Sequence, residues 1–190
     1  MIALGKKLYF EQAISINKTQ SCNSCHPIDN KGAGADNLKT GKGAEGKFSD
    51  RNDPPTMNAG FQIAQFWDGR AATLEEQAQG PPLNPIEMGM PNGEAVAERL
   101  KGIPAYSADF KKAFPGERDP VTFDNFSKAV AAFERTLISR GRFDRFMDGD
   151  AGPHRAGNGR DAHLYQCRLR AVPQRPQPGR DDLPENGRIL

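Results

Sequence analysis

The chain has 190 residues with a formal net charge of +2, and 36% of its residues are hydrophobic. Its mean hydropathy is −0.71, and no apolar run approaches the length of about 20 residues that a membrane-spanning helix needs. The near-neutral charge gives no indication of a nucleic-acid or acidic-membrane partner. The length fits one domain with or without a tail. The low hydrophobic content implies a small core, which a bound apolar cofactor would enlarge.

Residues 1–12 are predicted to form an amphipathic helix. Leu4, Leu8 and Tyr9 recur at helical spacing, while Lys6 lies on the other side. A secretory signal peptide has a basic segment followed by an apolar core, and this opening does not show that pattern. The segment is therefore assigned to the folded domain.

The most informative segment is Cys-Asn-Ser-Cys-His at residues 22–26. Two cysteines separated by two residues and followed directly by histidine are typical of c-type haem attachment. Each thiol adds to one vinyl group of the porphyrin, and the gap matches the vinyl separation when the segment turns helically. The next residue then lies under the iron, where imidazole is a proximal ligand. We therefore predict Cys22 and Cys25 as thioether anchors and His26 as an axial ligand.

Three other interpretations of the two cysteines are weaker. A redox dithiol of the thioredoxin type is expected within a βαβ pattern, which these flanks lack. A structural disulfide would close only a very short loop. A zinc site needs about four ligands, and the remaining Cys and His residues all lie near the far end of the chain: His154, His163 and Cys167.

The middle of the chain alternates between loops and helix signals. Residues 29–60 are predicted to form a long loop, which we expect to lie over the distal face of the haem. An aromatic cluster and an Asp-Gly turn follow at residues 61–70. Thr73 is predicted to cap a helix whose first turn carries Glu75, and the proline pair at residues 81–82 is predicted to end it.

Three further helices are predicted over residues 93–101, 104–114 and 121–140. The last is the clearest, with Thr122 or Asp124 as the candidate cap and an apolar stripe at i, i+4, i+7 and i+11. The stripe consists of Phe126, Val130, Phe133 and Leu137. We expect it to pack in the core or against the haem. The predicted fold class is mostly α, a c-type cytochrome-like helical domain with long loops.

The composition changes after residue 152. Every lysine and every phenylalanine precedes this point, while the remainder is rich in arginine and proline. Composition alone predicts a disordered tail over residues 152–190, somewhat similar to a basic nucleic-acid-binding tail. Codons back-translated from Pro153 and read one base later permit a continuous sequence with a second Cys-x-x-Cys-His motif. We therefore predict a haem domain over residues 1–151 followed by an out-of-frame tail.

Several motifs together resemble one enzyme family. They are Leu-Gly-Lys-Lys-Leu-Tyr-Phe at residues 4–10, the haem motif, Gln-Phe-Trp-Asp-Gly-Arg at residues 65–70, and Ala-Ala-Phe-Glu-Arg-Thr-Leu at residues 131–137. With them the chain resembles the bacterial di-haem cytochrome c peroxidases, which include the methylamine-utilisation di-haem enzyme. The resemblance extends over residues 1–151 and is to the family's amino-terminal domain.

The resemblance implies that the protein reduces hydrogen peroxide to water with electrons from a small periplasmic donor, a cytochrome c or a copper protein. It implies one covalent haem c in this chain and a second in an intact family member, and it is compatible with a calcium ion and a homodimer. His26 would be the proximal ligand of the peroxidatic haem, Glu75 the distal acid/base and Gln65 the group that orients peroxide. A periplasmic location without a signal peptide further predicts that the true amino terminus lies upstream of Met1.

Two features depart from the family pattern. No histidine stands between residues 27 and 150, so the distal histidine of many members has no counterpart and the iron is expected to be open or differently blocked. The electron-accepting haem domain is also missing from the sequence as written. The first alternative is therefore a mono-haem electron-transfer protein without catalysis, with an axial methionine drawn from Met57, Met88 and Met90. A non-haem module with a basic tail is the second.

Overall fold

The computed structural model describes residues 1–29, 34–36, 38–141, 144–145 and 148–149. The chain divides into a unit Met1–Ser139 and a unit Arg140–Leu190, and every helix named here belongs to the first. The helices are α1 (Ile2–Tyr9), α2 (Cys22–Cys25), α3 (Leu74–Leu83), α4 (Gly93–Lys101), α5 (Pro104–Ala113) and α6 (Phe123–Glu134).

The rest of the first unit is loop, interrupted by short 3₁₀ helices at Gln12–Ile14 and Ala59–Phe61. Among the described residues, β-type backbone pairing is limited to two isolated β-bridges. The predicted mostly α, cytochrome-like fold class with long loops is therefore confirmed. The predicted tail over residues 152–190 and its boundary at residue 151 lie outside the described residues.

Helix α6 is the centre of the domain and packs on both α1 and α3. Its approach to α1 is closest at Gly5, where an added Cβ would overlap the Ala129 carbonyl. The ring of Tyr9 meets the ring of Phe133 edge-on at the same interface, with 5.4 Å between centroids. The buried side chains of the α6 face are Phe126, Ala129, Val130, Ala131 and Phe133. Each large one contributes about 1.5–3 kcal/mol through burial.

Helices α4 and α5 cover the same core from another side. Arg99 on α4 donates hydrogen bonds to the backbone carbonyls of Ser15 and Ile16, the second at 3.0 Å. These bonds tie α4 to the segment that leads into α2. The buried core residues of α4 and α5 are Val96, Ala97, Leu100, Tyr106 and Phe110.

The helix ends show where the sequence patterns were reliable. Thr73 and Thr122 cap α3 and α6 as predicted, with their hydroxyls accepting from backbone amides at 3.2 and 3.1 Å. The helix α3 ends at Leu83, one residue after the proline pair, as predicted to within one residue. The carbonyls of Pro81 and Pro82 accept from the amides of Met88 at 3.3 Å and Met90 at 2.8 Å. The predicted helix over residues 121–140 ends at Glu134.

Candidate functional site

Helix α2 is a single turn that carries the predicted haem-attachment motif. Ser21 caps it reciprocally with Ser24, whose hydroxyl accepts from the Ser21 amide at 3.0 Å. A capping box of this kind satisfies amides that a short helix leaves unpaired. The turn directs Cys22, Cys25 and His26 at one cavity, where all three side chains form part of the wall.

The two thiols are free and uncharged. Neither Cys22 nor Cys25 is in a disulfide. Burial raises the pKa of Cys25 to about 12, with a further contribution from the negative charges of Asp53 and Asp36. Burial also raises the pKa of Cys22. A redox or metal-binding cysteine needs a lowered pKa, so the raised pKa values favour neither a redox role nor a metal-binding role. Two neutral thiols on one helical turn suit the formation of thioether bonds to a cofactor.

His26 is oriented by contacts with distant parts of the chain. Its Nδ1 lies 3.2 Å from the Gly34 carbonyl, and the Pro54 backbone also hydrogen-bonds the imidazole. A proton on Nδ1 would leave the lone pair on Nε2, the atom that would bind a metal. The Tyr9 hydroxyl donates to the His26 carbonyl at 2.7 Å and lies 3.0 Å from the Thr56 hydroxyl. Burial lowers the pKa of His26 and thereby favours the neutral, ligating form.

The long loop after the motif reaches both His26 and the cavity. We predicted that residues 29–60 would lie over the distal face of the haem. Gly34 and Thr56 contact His26 and Tyr9, next to the attachment helix, and other residues of the loop line the cavity: Lys42, Ser49 and Asp53. Gly34 has a φ of +75°, and an added Cβ would lie 2.5 Å from the Thr56 hydroxyl oxygen. Glycine is needed here for both its conformation and its size. The sequence analysis missed Tyr9, Gly34 and Thr56 as parts of the site.

The cavity beside the haem motif has a volume of about 80 Å³. Its apolar wall comes from α3, α6 and the loops beside them: Ala59, Leu74, Ala78, Pro82, Met88 and Val130. Two thiols and one imidazole project from one wall of this apolar space. The donor set and the wall fit a covalently attached haem, with Cys22 and Cys25 as anchors and His26 as an iron ligand.

Gln65 lies in the wall of the same cavity and is 6% exposed. Its side-chain amide donates to the Ala59 carbonyl at 3.1 Å, and its backbone amide donates to the Ala71 carbonyl at 2.7 Å. The next residue, Phe66, has a φ of +66° and carries the Arg70 guanidinium 3.5 Å above its ring. The Gln-Phe-Trp-Asp-Gly-Arg segment is thus a tight turn that brings Gln65 to the cavity.

Glu75 lies at the start of α3 but outside the lining of the cavity. Its carboxylate accepts two hydrogen bonds from Arg135, at 2.6 and 2.8 Å. The Arg135 contact lowers the pKa of Glu75. The structure therefore brings together Cys22, Cys25, His26 and Gln65, while the predicted acid/base is held one residue away from the cavity-lining Leu74.

Glu134 is an acidic residue that the sequence analysis did not single out. It is 5% exposed and lines the cavity near the end of α6. Burial raises its pKa to about 8, against the opposing effect of Arg135. The sequence contained a sign of this position. Glu134 falls four residues after Val130, so it lies on the same helical face as the apolar stripe that was predicted to continue to Leu137. Leu137 instead lies beyond the end of α6, half-buried.

Of the three candidate methionine ligands, Met88 lines the cavity. Met90 is buried in the core, and Met57 is half-buried outside the cavity lining. Among the described residues, no helix combines the length and the apolar character that crossing a membrane requires.

Comparison with known proteins identifies similar chains. The profile of the family described as Di-haem cytochrome c peroxidase matches residues 1–152. The cytochrome c551 peroxidase of Pseudomonas aeruginosa is 44% identical over 148 residues, which are 77% of this chain and 42% of that protein. The methylamine utilization protein MauG of Methylorubrum extorquens is 39% identical over 151 residues, which are 78% of this chain and 41% of that protein.

Solved structures show the same similarity. A MauG-like protein associated with microbial copper homeostasis matches with a TM-score of 0.75 and 30% identity, covering 87% of this chain and 48% of that chain. The diheme peroxidase BthA from Burkholderia thailandensis matches with a TM-score of 0.68 and 27% identity, covering 87% and 46%. The chain thus spans less than half the length of these relatives.

Proposed function

The chain belongs to the di-haem cytochrome c peroxidase family, and on that premise we propose that residues 1–151 form a c-type haem domain that reduces hydrogen peroxide to water. The electrons come from a small donor protein, a cytochrome c or a copper protein, in the periplasm. We place the domain there because haem c is attached outside the cytoplasmic membrane. A second haem, a calcium ion and a homodimer are assigned to the longer, intact form of the enzyme.

The observation that carries this proposal is the shared cavity. Its wall combines the thiol pair and imidazole of residues 22–26 with the buried amide of Gln65. Haem c bound there supplies an iron centre at which peroxide can be reduced. Cys22 and Cys25 anchor the group, His26 is the proximal ligand, and Gln65 orients peroxide through its side-chain amide.

Glu75 is proposed as the distal acid/base. Breaking the O–O bond requires a group that takes the proton from one peroxide oxygen and delivers it to the other. The Arg135 contact lowers the pKa of Glu75, so the carboxylate is in the form that accepts a proton first. For this role its side chain must turn from Arg135 toward the cavity that its neighbour Leu74 already lines.

The test of the function uses the 190-residue chain, expressed in a periplasm with haem-attachment machinery. Mixing the ferric, haem-loaded chain with hydrogen peroxide should change its haem absorption spectrum rapidly in a stopped-flow instrument. Turnover with a reduced cytochrome c or copper protein should be slow, because the 190 residues tested contain one Cys-x-x-Cys-His motif and so attach one haem. A ferric haem that does not react with peroxide would contradict the proposal.

Met88 supports one second candidate, a mono-haem electron carrier. Its thioether side chain is 5% exposed and belongs to the cavity wall, and methionine is a common axial partner of histidine in cytochromes c. A low-spin, six-coordinate ferric spectrum that Met88→Leu converts to high spin would support the carrier. A high-spin spectrum that Met88→Leu leaves unchanged would support the peroxidase.

Replacing Glu75 by Gln is expected to slow the peroxide reaction of the haem-loaded chain by about 10²-fold or more, because the substitution removes the proton acceptor but keeps the side-chain shape. The measurement is the stopped-flow rate at pH 7, with haem content checked by the pyridine haemochrome assay. Glu76→Gln is the matched control. Glu76 accepts from the Ala72 amide at 2.7 Å on the surface, so its loss should leave the rate near normal. Equal rates in both variants would move the acid/base role elsewhere.

A further inference from the structure

Glu134 stands between two hollows of the domain. On one side it lines the cavity beside the haem motif, and on the other it lines a surface pocket of about 210 Å³ near the 3₁₀ helix Ala59–Phe61. Gly60, Phe61 and Ile138, which line the outer pocket, are exposed. Glu134 itself is buried, at 5% exposure. Glu134 therefore lies between a solvent-accessible pocket and the site where peroxide is proposed to react.

The carboxyl of Glu134 makes no hydrogen bond or ion pair with other side chains in the described part of the chain. Arg135, the cation next to it, has its guanidinium engaged by Glu75. The negative charge of Glu75 on α3 also raises the pKa of Glu134. Two further titratable groups respond to the charge of Glu134, Tyr9 on α1 and Cys22 on α2. Neither is charged at neutral pH in this environment, because burial raises the pKa of both.

A buried carboxyl without a partner is destabilising when ionised. Burial raises the pKa of Glu134 to about 8, so at neutral pH most of the population carries a proton. The group can therefore release a proton into the cavity and regain one from water in the outer pocket. A permanently ionised surface glutamate could not store a proton in this way.

Reduction of hydrogen peroxide to two waters consumes two electrons and two protons. The electrons come from the donor protein and the protons from solvent, while much of the cavity wall is apolar. We propose that Glu134 carries these protons from the outer pocket into the cavity. This inference rests on the proposed peroxidase function. In each passage the Glu134 acid gives its proton to an oxygen in the cavity, and the resulting carboxylate is reprotonated from the outer pocket, so two passages balance one peroxide.

The first test observes the proton on Glu134 directly. Infrared difference spectra of the haem-loaded chain should show a buried carboxylic-acid band that disappears as the pH rises through about 8. Glu134→Gln should remove this band, while Glu76→Gln, at a glutamate that does not act on Glu134, should retain it. The readout does not depend on peroxide, so it tests Glu134 even if the peroxidase function fails. A spectrum without such a band, or a band that persists in Glu134→Gln, would overturn the inference.

The second test measures the role in the reaction. Turnover of hydrogen peroxide by the unmodified, haem-loaded chain with a reduced donor protein should slow as the pH rises through about 8, because the acid form delivers the protons that are taken up with the electrons. Glu134→Gln should lower the rate at pH 6 by about 10²-fold and remove this inflection, and Glu134→Asp should restore both in part. An unaltered rate and pH profile in Glu134→Gln would contradict proton delivery by this residue.

A third variant keeps Glu134 and blocks the approach to it. Gly60 has no positive φ, and a Cβ built on it would meet Arg135 at an ordinary 3.6 Å. Gly60→Leu should therefore fold and narrow the outer pocket. The exchange of the Glu134 acid proton for deuterium is measured by the shift of its infrared band. In Gly60→Leu this exchange should be several-fold slower than in the unmodified chain. Exchange at the unmodified rate would rule out the outer pocket as the entry.

Discussion

Replacing both Cys22 and Cys25 by Ser is expected to reduce covalently bound haem to background. Both thiols line the cavity within one helical turn, and both are needed for the two thioether bonds. Serine is similar to cysteine in size and polarity, but its hydroxyl cannot form a thioether bond with a vinyl group. The measurement is the pyridine haemochrome spectrum of acid-washed, periplasmically expressed protein, because washing removes haem that is held only by contacts.

Cys167→Ser is the matched control, since it makes the same chemical change at a cysteine outside the motif and outside the described residues. It should bind as much covalent haem as the unmodified chain. A single variant, Cys22→Ser or Cys25→Ser, should shift the haemochrome band, because one vinyl group then remains free. Covalent haem in the double variant at the level of the control would overturn the assignment of the attachment site.

The attachment motif and the helix caps could be predicted from the sequence because both depend on residues close together in the chain. The Cys-x-x-Cys-His spacing sets its own geometry within one turn. Thr73 and Thr122 bond to amides three residues ahead. Such local chemistry is almost independent of the fold around it, and it was enough to indicate a haem domain with α3 and α6 beginning where they do.

The support of His26 could not be predicted in the same way. Its Nδ1 faces Gly34, its carbonyl accepts from Tyr9, and Thr56 lies 47 residues from Tyr9 in sequence. Glycine, tyrosine and threonine are common in helices and loops, and nothing in their spacing indicates that they meet. Only packing of α1 against α6 brings Tyr9 to the motif, so this part of the site emerges from tertiary structure.

The proline and stripe signals differ in how far they depended on tertiary contacts. Pro81 and Pro82 lack amide protons, which predicts the end of a helix, and α3 ends at Leu83, directly after the pair. Helix α6 ends at Glu134 although its stripe continues to Leu137, because the next turn leaves the helix to bond with residue 58. Glu134 is thus the last residue of the helical face that lines the cavity.

Gly5→Ala is expected to destabilise the domain by about 3 kcal/mol. Local helix propensity predicts the opposite sign, since alanine is favoured over glycine inside a helix by up to about 1 kcal/mol. At Gly5, however, the added Cβ would overlap the backbone carbonyl of Ala129 and lie 2.9 Å from the Phe133 Cβ. A backbone carbonyl within α6 cannot turn aside as a flexible side chain can, so α1 must move away from α6.

Urea unfolding of the haem-loaded chain, followed by circular dichroism, measures the change. Gly116→Ala is the matched control, because a Cβ at Gly116 meets no atom within 4 Å and its φ is not positive. It should change the free energy of unfolding by less than about 0.5 kcal/mol. Equal stability of the two variants would show that α1 and α6 are not in the close contact described.

The same substitution should also affect the haem site. Tyr9 lies one turn after Gly5 on the buried face of α1 and donates its hydroxyl proton to the His26 carbonyl at 2.7 Å. Displacement of α1 from α6 weakens this bond and with it the support of the proximal segment. Tyr9→Phe separates the two effects, because it removes the hydroxyl and leaves the α1–α6 contact intact. If Gly5→Ala reduces haem loading more than Tyr9→Phe does, the helix contact contributes to the site beyond this one hydrogen bond.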